Sequence, residues 1–318
     1  MRIVFMGTPE FAGEILKQLV HQGVDVAAVV TVADKPAGRG QKLHESAVKR
    51  IALEFQLPVL QPVKLKDPEF LEQLSEYQAD VFVVVAFRML PEVVWNMPPK
   101  GTFNIHASLL PHYRGAAPIN WAVINGESET GVTTFFLNHD IDAGDIIAKR
   151  TVKINPDETA GSLHDRLCEE GKIIALETLK MIDEISIKPI TQANIDVGKL
   201  KIAPKLFKPD CKIDFSKDGF LINQLIRGLS PYPASFFEMK NKSDELLSMK
   251  VFSAEVEISD SESPVGAISS DYKHFFKVRC NDSWISLKDV QLMGKKRMGV
   301  EEFLRGFRFN CEDLKLHS

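Results

Sequence analysis

One short segment near the middle of the chain, residues 104–115, concentrates side chains that can do chemistry. It runs Asn-Ile-His-Ala-Ser-Leu-Leu-Pro-His-Tyr-Arg-Gly and follows a strand-sized apolar run. If the chain is extended there, Asn104 and His106 point to the same face, because side chains along a strand repeat every two residues. An amide donor beside an imidazole can stabilise an oxyanion, and the imidazole can also carry a proton. The segment therefore predicts a site for acyl or one-carbon transfer.

A second polar cluster lies at residues 138–145, Asn-His-Asp-Ile-Asp-Ala-Gly-Asp, between two predicted strands. It holds three carboxylates, at Asp140, Asp142 and Asp145. A calcium loop of the EF-hand type would end in a bidentate Glu, which this segment lacks. A carboxylate beside His106 would favour the charged imidazole, but the residue types alone leave open which aspartate that is.

Other classes of site lack their signatures in this sequence. The first strand is followed by Gly7-Thr-Pro-Glu-Phe, with one glycine instead of the GxGxxG fingerprint of nicotinamide-dependent dehydrogenases. There is no GxSxG elbow and no His-x-x-x-His or His-Glu-x-x-His zinc motif. The four cysteines form no CxxC pair. The sequence predicts a metal-free reaction in the reducing cytoplasm.

The elements that must position these segments alternate between strands and helices in the first part of the chain. Strands are expected at residues 2–6, 24–32, 81–86, 101–105, 131–137 and 146–154, and helices at 10–21, 45–55, 67–77 and 161–185. This alternation predicts an α/β domain over residues 1–185, with a sheet rich in parallel strands and covered on both faces. The site segments would then lie at its carboxyl edge, where such proteins bind ligands.

The rest of the 318-residue chain has a different pattern. Residues 186–204 are polar and weakly periodic, which indicates a linker. In residues 205–318, a short helix at 223–229 precedes apolar runs at 234–239, 249–257, 266–268, 275–280 and 284–291. Short strands separated by turn residues predict a small β-barrel or sandwich.

The net charge of −4 lacks the basic excess of a protein that binds duplex DNA. Any contact with nucleic acid must therefore use local patches, such as the loop at residues 34–43, Asp-Lys-Pro-Ala-Gly-Arg-Gly-Gln-Lys-Leu. No apolar run approaches the roughly 20 residues of a membrane-spanning helix. We expect a monomer that binds neither DNA nor membranes.

On these motifs the chain resembles the folate-dependent formyltransferases. Asn104, His106 and Asp142, with Ser-Leu-Leu-Pro between them, resemble the catalytic Asn, His and Asp of that superfamily. Asp142 follows His106 by 36 residues, the spacing expected there, which selects it over its neighbours. Segments starting at Gly7, Asp34, Tyr113, Glu129, Ile226 and Gly294 resemble the members that act on methionyl-tRNA. Residues 87–89, Phe-Arg-Met, depart from the Tyr-Gly-apolar pattern of the family.

The resemblance implies a Rossmann-like formyltransferase domain, a linker and a C-terminal OB-like domain that binds tRNA. It implies 10-formyltetrahydrofolate as co-substrate, no metal, and a folate site formed by Arg88, Met89, Leu90, Ser108, Leu109, Leu110, Pro111 and Asp140. It implies initiator methionyl-tRNA as acceptor, contacted by Lys35, Arg39, Lys42, Lys205, Lys208, Lys295, Lys296 and Arg297. Among these Arg39 is the strongest candidate, and we expect the 34–43 loop to be mobile without RNA.

Several alternatives to this function remain. Sugar-nucleotide N-formyltransferases have a similar catalytic domain, although the Pro-Ala-Gly-Arg-Gly loop and the Gly-Lys-Lys-Arg-Met segment weigh against them. Glycinamide ribonucleotide formyltransferases are shorter and lack a second domain. A non-catalytic folate- or RNA-binding module would have no need for Asn104, His106 and Asp142 together. A dehydrogenase is the weakest alternative, because the glycine fingerprint is missing.

Overall fold

The computed structural model describes residues 1–37, 42–195, 198–259, 262–307 and 310–317, without the side chains of 35–37, 42–44 and 312. The chain forms two compact units. The first comprises Met1–Pro118, Glu129–Lys153 and His164–Pro204, and the second Ile119–Ser128, Ile154–Leu163 and Lys205–Ser318. The second unit therefore includes two segments of the range expected to form one domain, residues 1–185.

The elements of the first half follow the predicted alternation. In chain order they are β1 (Arg2–Gly7), α1 (Glu10–His21), β2 (Asp25–Val30), β3 (Lys35–Ala37), β4 (Lys42–His44), α2 (Ala47–Glu54), β5 (Val59–Leu60), α3 (Pro68–Glu76), β6 (Val81–Val85), α4 (Glu92–Trp95), β7 (Thr102–His106), β8 (Arg114–Gly115), α5 (Pro118–Ile124), β9 (Glu129–Phe136), β10 (Ile146–Lys153) and α6 (Ala160–Asp183). The segment 34–43, expected to be a loop, contributes the antiparallel pair β3–β4. Residues 38–41 lie outside the described residues.

A parallel-rich sheet forms the centre of the first unit, which confirms the predicted fold class. The strands described there have the order β10-β9-β7-β6-β1-β2-β5. In the sheet, the five neighbouring strands β7, β6, β1, β2 and β5 are all parallel. β9 is antiparallel to both of its neighbours, β7 and β10. All residues of β6, Val-Phe-Val-Val-Val, are buried, as expected for a strand covered on both faces. Because β7 runs parallel to β6, its last residue, His106, stands at the carboxyl edge of the parallel strands.

Residues 186–204, expected to be a linker, pack with the first unit. Ile190 pairs with Ile146 at the start of β10, and a 3₁₀ turn follows at Gln192–Asn194. A short strand, β11 (Ile202–Ala203), runs parallel to β8. The segment is held largely by hydrogen bonds rather than by an apolar face. This explains why its sequence shows no hydrophobic period.

The second unit contains an antiparallel sheet, as expected for a small OB-like domain. Its further elements are α7 (Gly219–Leu229), β12 (Ser235–Lys240), β13 (Leu246–Ile258), β14 (Ile268–Ser270), β15 (Phe276–Arg279), β16 (Ser283–Leu292), β17 (Met298–Gly299), α8 (Val300–Gly306) and β18 (Lys315–His317). The strands have the order β14-β15-β16-β13-β12-β18, and β17 pairs with β16. Phe237, Met249, Val251 and Ile285 are almost fully buried in its core. Within the described residues, no helix has the length and apolar character needed to cross a membrane.

Candidate active site

The first two predicted catalytic side chains are placed by β7. Asn104 pairs with Val84 of β6 and with Phe135 of β9, and His106 pairs with Thr133 of β9. Because Asn104 and His106 are two positions apart on one strand, their side chains point to the same face. Asn104 is half-buried, whereas His106 is 7% exposed. The strand therefore presents an amide and a nearly buried imidazole side by side.

One ring nitrogen of His106 forms a hydrogen bond within the protein. Its Nε2 lies 2.8 Å from the carbonyl oxygen of Tyr113. Since a carbonyl can only accept, Nε2 must carry a hydrogen and donate it. The other nitrogen, Nδ1, lies 3.8 Å from Oδ2 of Asp142. Nδ1 is thus the nitrogen that faces the acidic side chain.

Asp142 is the one of the three candidate aspartates that the structure brings to His106. Its backbone adopts a φ of 51°, in the left-handed region that Asp tolerates better than most residues. Oδ2 accepts a hydrogen bond from the amide of Gly115 at 2.9 Å, which aims the carboxylate towards the imidazole. At 3.8 Å the two side chains are at ion-pair distance without a direct hydrogen bond. Among the described residues, no group of three or more His, Cys, Asp or Glu could hold a metal ion.

Two contacts to Asp142 were not expected from the sequence. One is the Gly115 amide, which lies in β8. The other is Gln192, whose Nε2 donates to the carbonyl of Asp142 at 3.0 Å. Gln192 comes from the segment expected to be a linker, 50 residues away in sequence. A glutamine in a polar stretch carries no local signal for such a contact.

The Ser-Leu-Leu-Pro segment is fixed against the neighbouring strands. The Thr133 hydroxyl donates to the carbonyl of Ser108 at 2.6 Å and accepts from the Leu110 amide at 3.2 Å. The ammonium of Lys149 donates to the Leu110 carbonyl, and burial lowers the pKa of Lys149. Ser108, Leu110 and Pro111 are buried, and Leu109 is half-buried. The segment is a rigid wall beside His106.

The two other segments expected to hold folate, residues 88–90 and the 138–142 turn, lie near each other. His139 contacts the Trp95 ring edge-on at 5.3 Å, and its Nε2 is 3.8 Å from Glu92. The 138–142 turn is therefore beside α4, which closely follows residues 88–90. Asp140 and Met89 are exposed, the latter by 69%.

The side chains of Arg88 and Leu90 are used within the protein. Arg88 donates to the carbonyls of Pro62 and of Val63, the latter at 3.0 Å, and burial lowers its pKa. Leu90 is 6% exposed and packs in the core of the first unit. The terminal nitrogens of Arg88 and the side chain of Leu90 are therefore held within the protein.

The residues expected to contact nucleic acid differ in their exposure and in the contacts that their side chains already make. Lys205 and Lys208 are exposed, and each ammonium lies 5.5 Å from an aromatic ring, that of Phe207 or Phe236. Lys295 and Lys296 are exposed. Arg297 instead pairs with Asp289 at 2.6 Å and stacks on the Phe252 ring at 4.1 Å, so its guanidinium is already engaged. Arg39 lies outside the described residues, as do the side chains of Lys35 and Lys42.

Known proteins resemble this chain along nearly its whole length. A family model described as formyl transferase matches residues 1–179, and one described as formyl transferase, C-terminal domain, matches residues 205–308. The chain belongs to the formyl transferase family. A Bacteroides thetaiotaomicron relative named methionyl-tRNA formyltransferase is 51% identical over 98% of this chain and 97% of its own length. The resemblance deduced from the site motifs is thereby confirmed.

Solved formyl transferase structures share the fold at much lower identity. WlaRD, described as a sugar 3N-formyl transferase in the presence of dTDP and 5-N-formyl-THF, is 19% identical, with a TM-score of 0.64 over 93% of this chain and 99% of its own. HypX from Aquifex aeolicus, in complex with tetrahydrofolic acid, is 19% identical. It has a TM-score of 0.63 over 98% of this chain and 48% of the HypX chain. At this identity the likeness concerns the fold alone.

Proposed function

We propose that this formyl transferase moves the formyl group of 10-formyltetrahydrofolate to the α-amino group of initiator methionyl-tRNA. The observation that carries the proposal is the 51% identity, over 98% of the chain, to a protein named methionyl-tRNA formyltransferase. Both units take part in that match, so the acceptor specificity of the relative is more informative than that of the distant sugar enzymes. Residues 1–185 are proposed to catalyse the transfer and residues 205–318 to bind tRNA.

The proposed roles of the three polar residues follow from their geometry. When the amine attacks the formyl carbon, the formyl oxygen gains negative charge, and two donors on one face of β7 are placed to stabilise it. Asn104 offers its amide N–H. His106 offers Nδ1–H when the ring is charged, because Nε2–H is occupied by Tyr113.

Asp142 would support the charged ring and accept the proton that the amine loses. The bond between the formyl carbon and N10 of the folate then breaks, and N10 takes up a proton and leaves as tetrahydrofolate. Oδ2 of Asp142 lies 3.8 Å from Nδ1 of His106. At this distance the carboxylate attracts the charged ring, and no direct hydrogen bond between the two side chains has to break before a substrate group can bind to either. Asp142 Oδ2 is held by the Gly115 amide, which keeps the carboxylate in place while protons move.

The folate co-substrate carries the formyl group, and two kinds of surface fit it. The backbone at 88–90 and 138–142 would recognise the polar pterin edge, because the side chains of Arg88 and Leu90 are engaged elsewhere. The rigid wall formed by Ser108, Leu109, Leu110 and Pro111 would exclude water from the reacting atoms. Asp140, exposed on the 138–142 turn, would close the pocket on that side.

Recognition of tRNA is proposed for two basic regions. The first is the segment of residues 34–43, whose sequence contains Lys35, Arg39 and Lys42. The second is in the second unit, with the exposed Lys205, Lys208, Lys295 and Lys296. Arg297 is the weakest member, because Asp289 already neutralises it. Phosphate contacts of this kind position the RNA and lose strength as salt rises. The expectation of a cytoplasmic monomer stays a prediction.

The test is a formyl-transfer assay with 10-formyltetrahydrofolate and three acceptors: initiator methionyl-tRNA, elongator methionyl-tRNA and a dTDP-amino sugar. We expect transfer to the initiator alone. Asn104→Ala and His106→Ala should each lower kcat by about 10²–10³-fold, the usual effect of removing an oxyanion donor. Asp142→Asn should also be impaired, whereas Asp145→Asn, its matched control in the same turn, should keep wild-type kcat. Transfer to the sugar but to neither tRNA would refute the proposal.

A further inference from the structure

The side chain of Gln192 is one of the most fully bonded polar groups of the first unit, and no catalytic step above uses it. Gln192 is 3% exposed. Its Oε1 accepts from Nε and Nη2 of Arg114, at 3.0 and 2.6 Å. Its Nε2 donates to the carbonyls of Asp142 and Gly144, at 3.0 and 2.8 Å. One amide thus joins β8 to the turn that carries the acidic side chain.

We propose that Gln192 is a positioning residue for formyl transfer, which fixes the Asp142 turn so that its carboxylate meets His106. The proposal rests on the function proposed above. It assigns to the 186–204 segment, which resembles a linker in sequence, a direct part in building the site.

The Asp142 turn needs a support of this kind. Asp142 has a φ of 51°, which costs free energy in an L-residue and persists only where neighbouring groups hold it. Asp140 and Ile141 on the outer side are exposed, the latter by 65%, so apolar packing does not hold the turn there. On the inner side, two turn carbonyls receive their hydrogen bonds from Gln192. A buried carbonyl that loses its donor is costly, so these bonds select one conformation.

The Gln192 side chain also holds β8, the strand whose Gly115 amide donates to the Asp142 carboxylate. Arg114, which donates twice to Gln192, directly precedes Gly115, whose amide donates to Asp142 Oδ2 at 2.9 Å. Gly115 has a φ of 122°, and a Cβ there would lie 2.4 Å from the carbonyl oxygen of Ala203 in β11. Gln192 therefore fixes both the backbone of Asp142 and the strand that aims its carboxylate.

Kinetics separate positioning from a general structural role. With both substrates saturating, Gln192→Ala should lower kcat on the order of 10–10²-fold, the scale of a small misplacement of catalytic groups. KM for methionyl-tRNA should stay within about twofold, because no residue proposed to contact tRNA lies in the 138–145 turn. KM for folate is not used in this comparison, because the backbone of that turn is itself proposed to bind the pterin. Gln192→Glu should behave similarly. It keeps the acceptor for Arg114 but replaces the donor by an oxygen that faces two carbonyls.

A double-mutant cycle gives the decisive comparison. In an Asp142→Ala background, Gln192→Ala should cause no further loss of kcat, since its effect passes through Asp142. If the two losses multiply, or if Gln192→Ala has wild-type kcat, the proposal is wrong. Thr178→Ala is the matched folding control. It removes a buried hydroxyl whose oxygen lies 2.9 Å from that of Thr134. Thr134 pairs with Ile105, so its side chain lies on the face of the sheet opposite to that of Asn104 and His106, and the variant should leave kcat unchanged.

Hydrogen exchange tests the role of Gln192 without depending on which acceptor the enzyme formylates. Hydrogen exchange at the Gly115 amide should accelerate in Gln192→Ala as it does in Asp142→Ala, while amides of β6 keep their protection. Unchanged protection of Gly115 in Gln192→Ala would overturn the proposal. If the wild-type protein fails to formylate methionyl-tRNA, the proposed function fails, and the exchange experiment still decides whether Gln192 holds Asp142. Should Gln192→Ala fold poorly, Gln192→Met removes the same bonds at similar volume.

Discussion

At the scale of single residues, the buried thiol of Cys168 makes stability depend on pH in the alkaline range. Burial raises the pKa of Cys168 from 9.0 to about 11, and the side chain is 5% exposed on α6. Between these values the unfolded chain loses a proton that the folded chain keeps. The folded state then binds more protons, so its stability falls as pH rises from about 9 to 11.

Urea unfolding of the wild type and Cys168→Ala at pH 8.5 and 10.5 measures this effect. The free energy of unfolding should fall by about 2 kcal/mol more in the wild type than in the variant. The cavity that alanine leaves costs the same at both values of pH, so it cancels in the comparison. Parallel pH dependence of the two proteins would contradict the prediction.

The three aspartates of the 138–145 turn show what residue types alone leave undecided. Asp140, Asp142 and Asp145 are equivalent as sequence, and only the resemblance to the formyltransferases singled out Asp142. In the structure a left-handed φ and a bond from the Gly115 amide direct Asp142 to His106. Neither feature has a local sequence signal, because Gly115 lies 27 residues away. The supporting role of Gln192 was missed for the same reason.

At the scale of elements, ion pairs link the residue before β3, Asp34, and the residue after β4, Glu45, to Lys49 of α2. The ammonium of Lys49 bonds the carboxylates of Asp34 and of Glu45, the latter at 3.0 Å. Gln61 donates to Asp34 at 2.8 Å. The bond to Asp34 raises the pKa of Lys49, and the bonds from Lys49 and Gln61 lower that of Asp34. The pair is therefore charged at neutral pH.

Loss of this anchor should weaken tRNA recognition without touching catalysis. Lys49→Met is expected to raise KM for methionyl-tRNA on the order of fivefold, the scale of a small charge network. The kcat at saturating tRNA and KM for folate should not change. Lys172→Met, which removes an ion pair with Glu14 on other helices of the same unit, is the matched control. Equal effects of the two variants on KM would show that the hairpin does not contact tRNA.

The elements that the sequence predicted well are those with a strong local pattern. β6 was expected at residues 81–86 and is found at Val81–Val85, because an unbroken apolar run is typical of a strand buried on both faces. β3 and β4 were missed, since three residues each around glycine and proline show no period. β11 was missed because its two residues are specified by pairing with β8. Such pairing is a property of distant residues.

At the scale of the whole molecule, the two units do not correspond to two continuous stretches of sequence. Residues 119–128 and 154–163 belong to the second unit together with 205–318. Within that unit, Asn120 donates to the carbonyl of Gly228 at 2.7 Å, and the amide of Gly161 donates to that of Ser230 at 3.0 Å. Hydrophobic periodicity does not indicate this division, because residues 119–128 directly precede β9 and residues 154–163 directly follow β10, and both strands belong to the first sheet.

The intertwined chain predicts that a protein ending at residue 204 is unstable, although the family models suggest separable domains. Residues 119–128 and 154–163 would lose the partners against which they fold. The point variant Gly228→Ala tests the same contact in the full chain. Its Cβ would lie 2.4 Å from Cγ1 and 2.9 Å from the backbone nitrogen of Ile124, so the segment must shift, at a cost of about 1–3 kcal/mol.

Thermal unfolding of the truncated chain, Gly228→Ala and the wild type decides the matter. We expect a lowered midpoint for the point variant and a broad or absent transition for residues 1–204. Gly306→Ala, in the same unit, is the control, because a Cβ there meets nothing within 4 Å. A cooperative transition of residues 1–204 at the wild-type midpoint would show that the first unit folds independently of the second. In that case residues 119–128 and 154–163 would not need the contacts of Asn120 and Gly161 in order to fold.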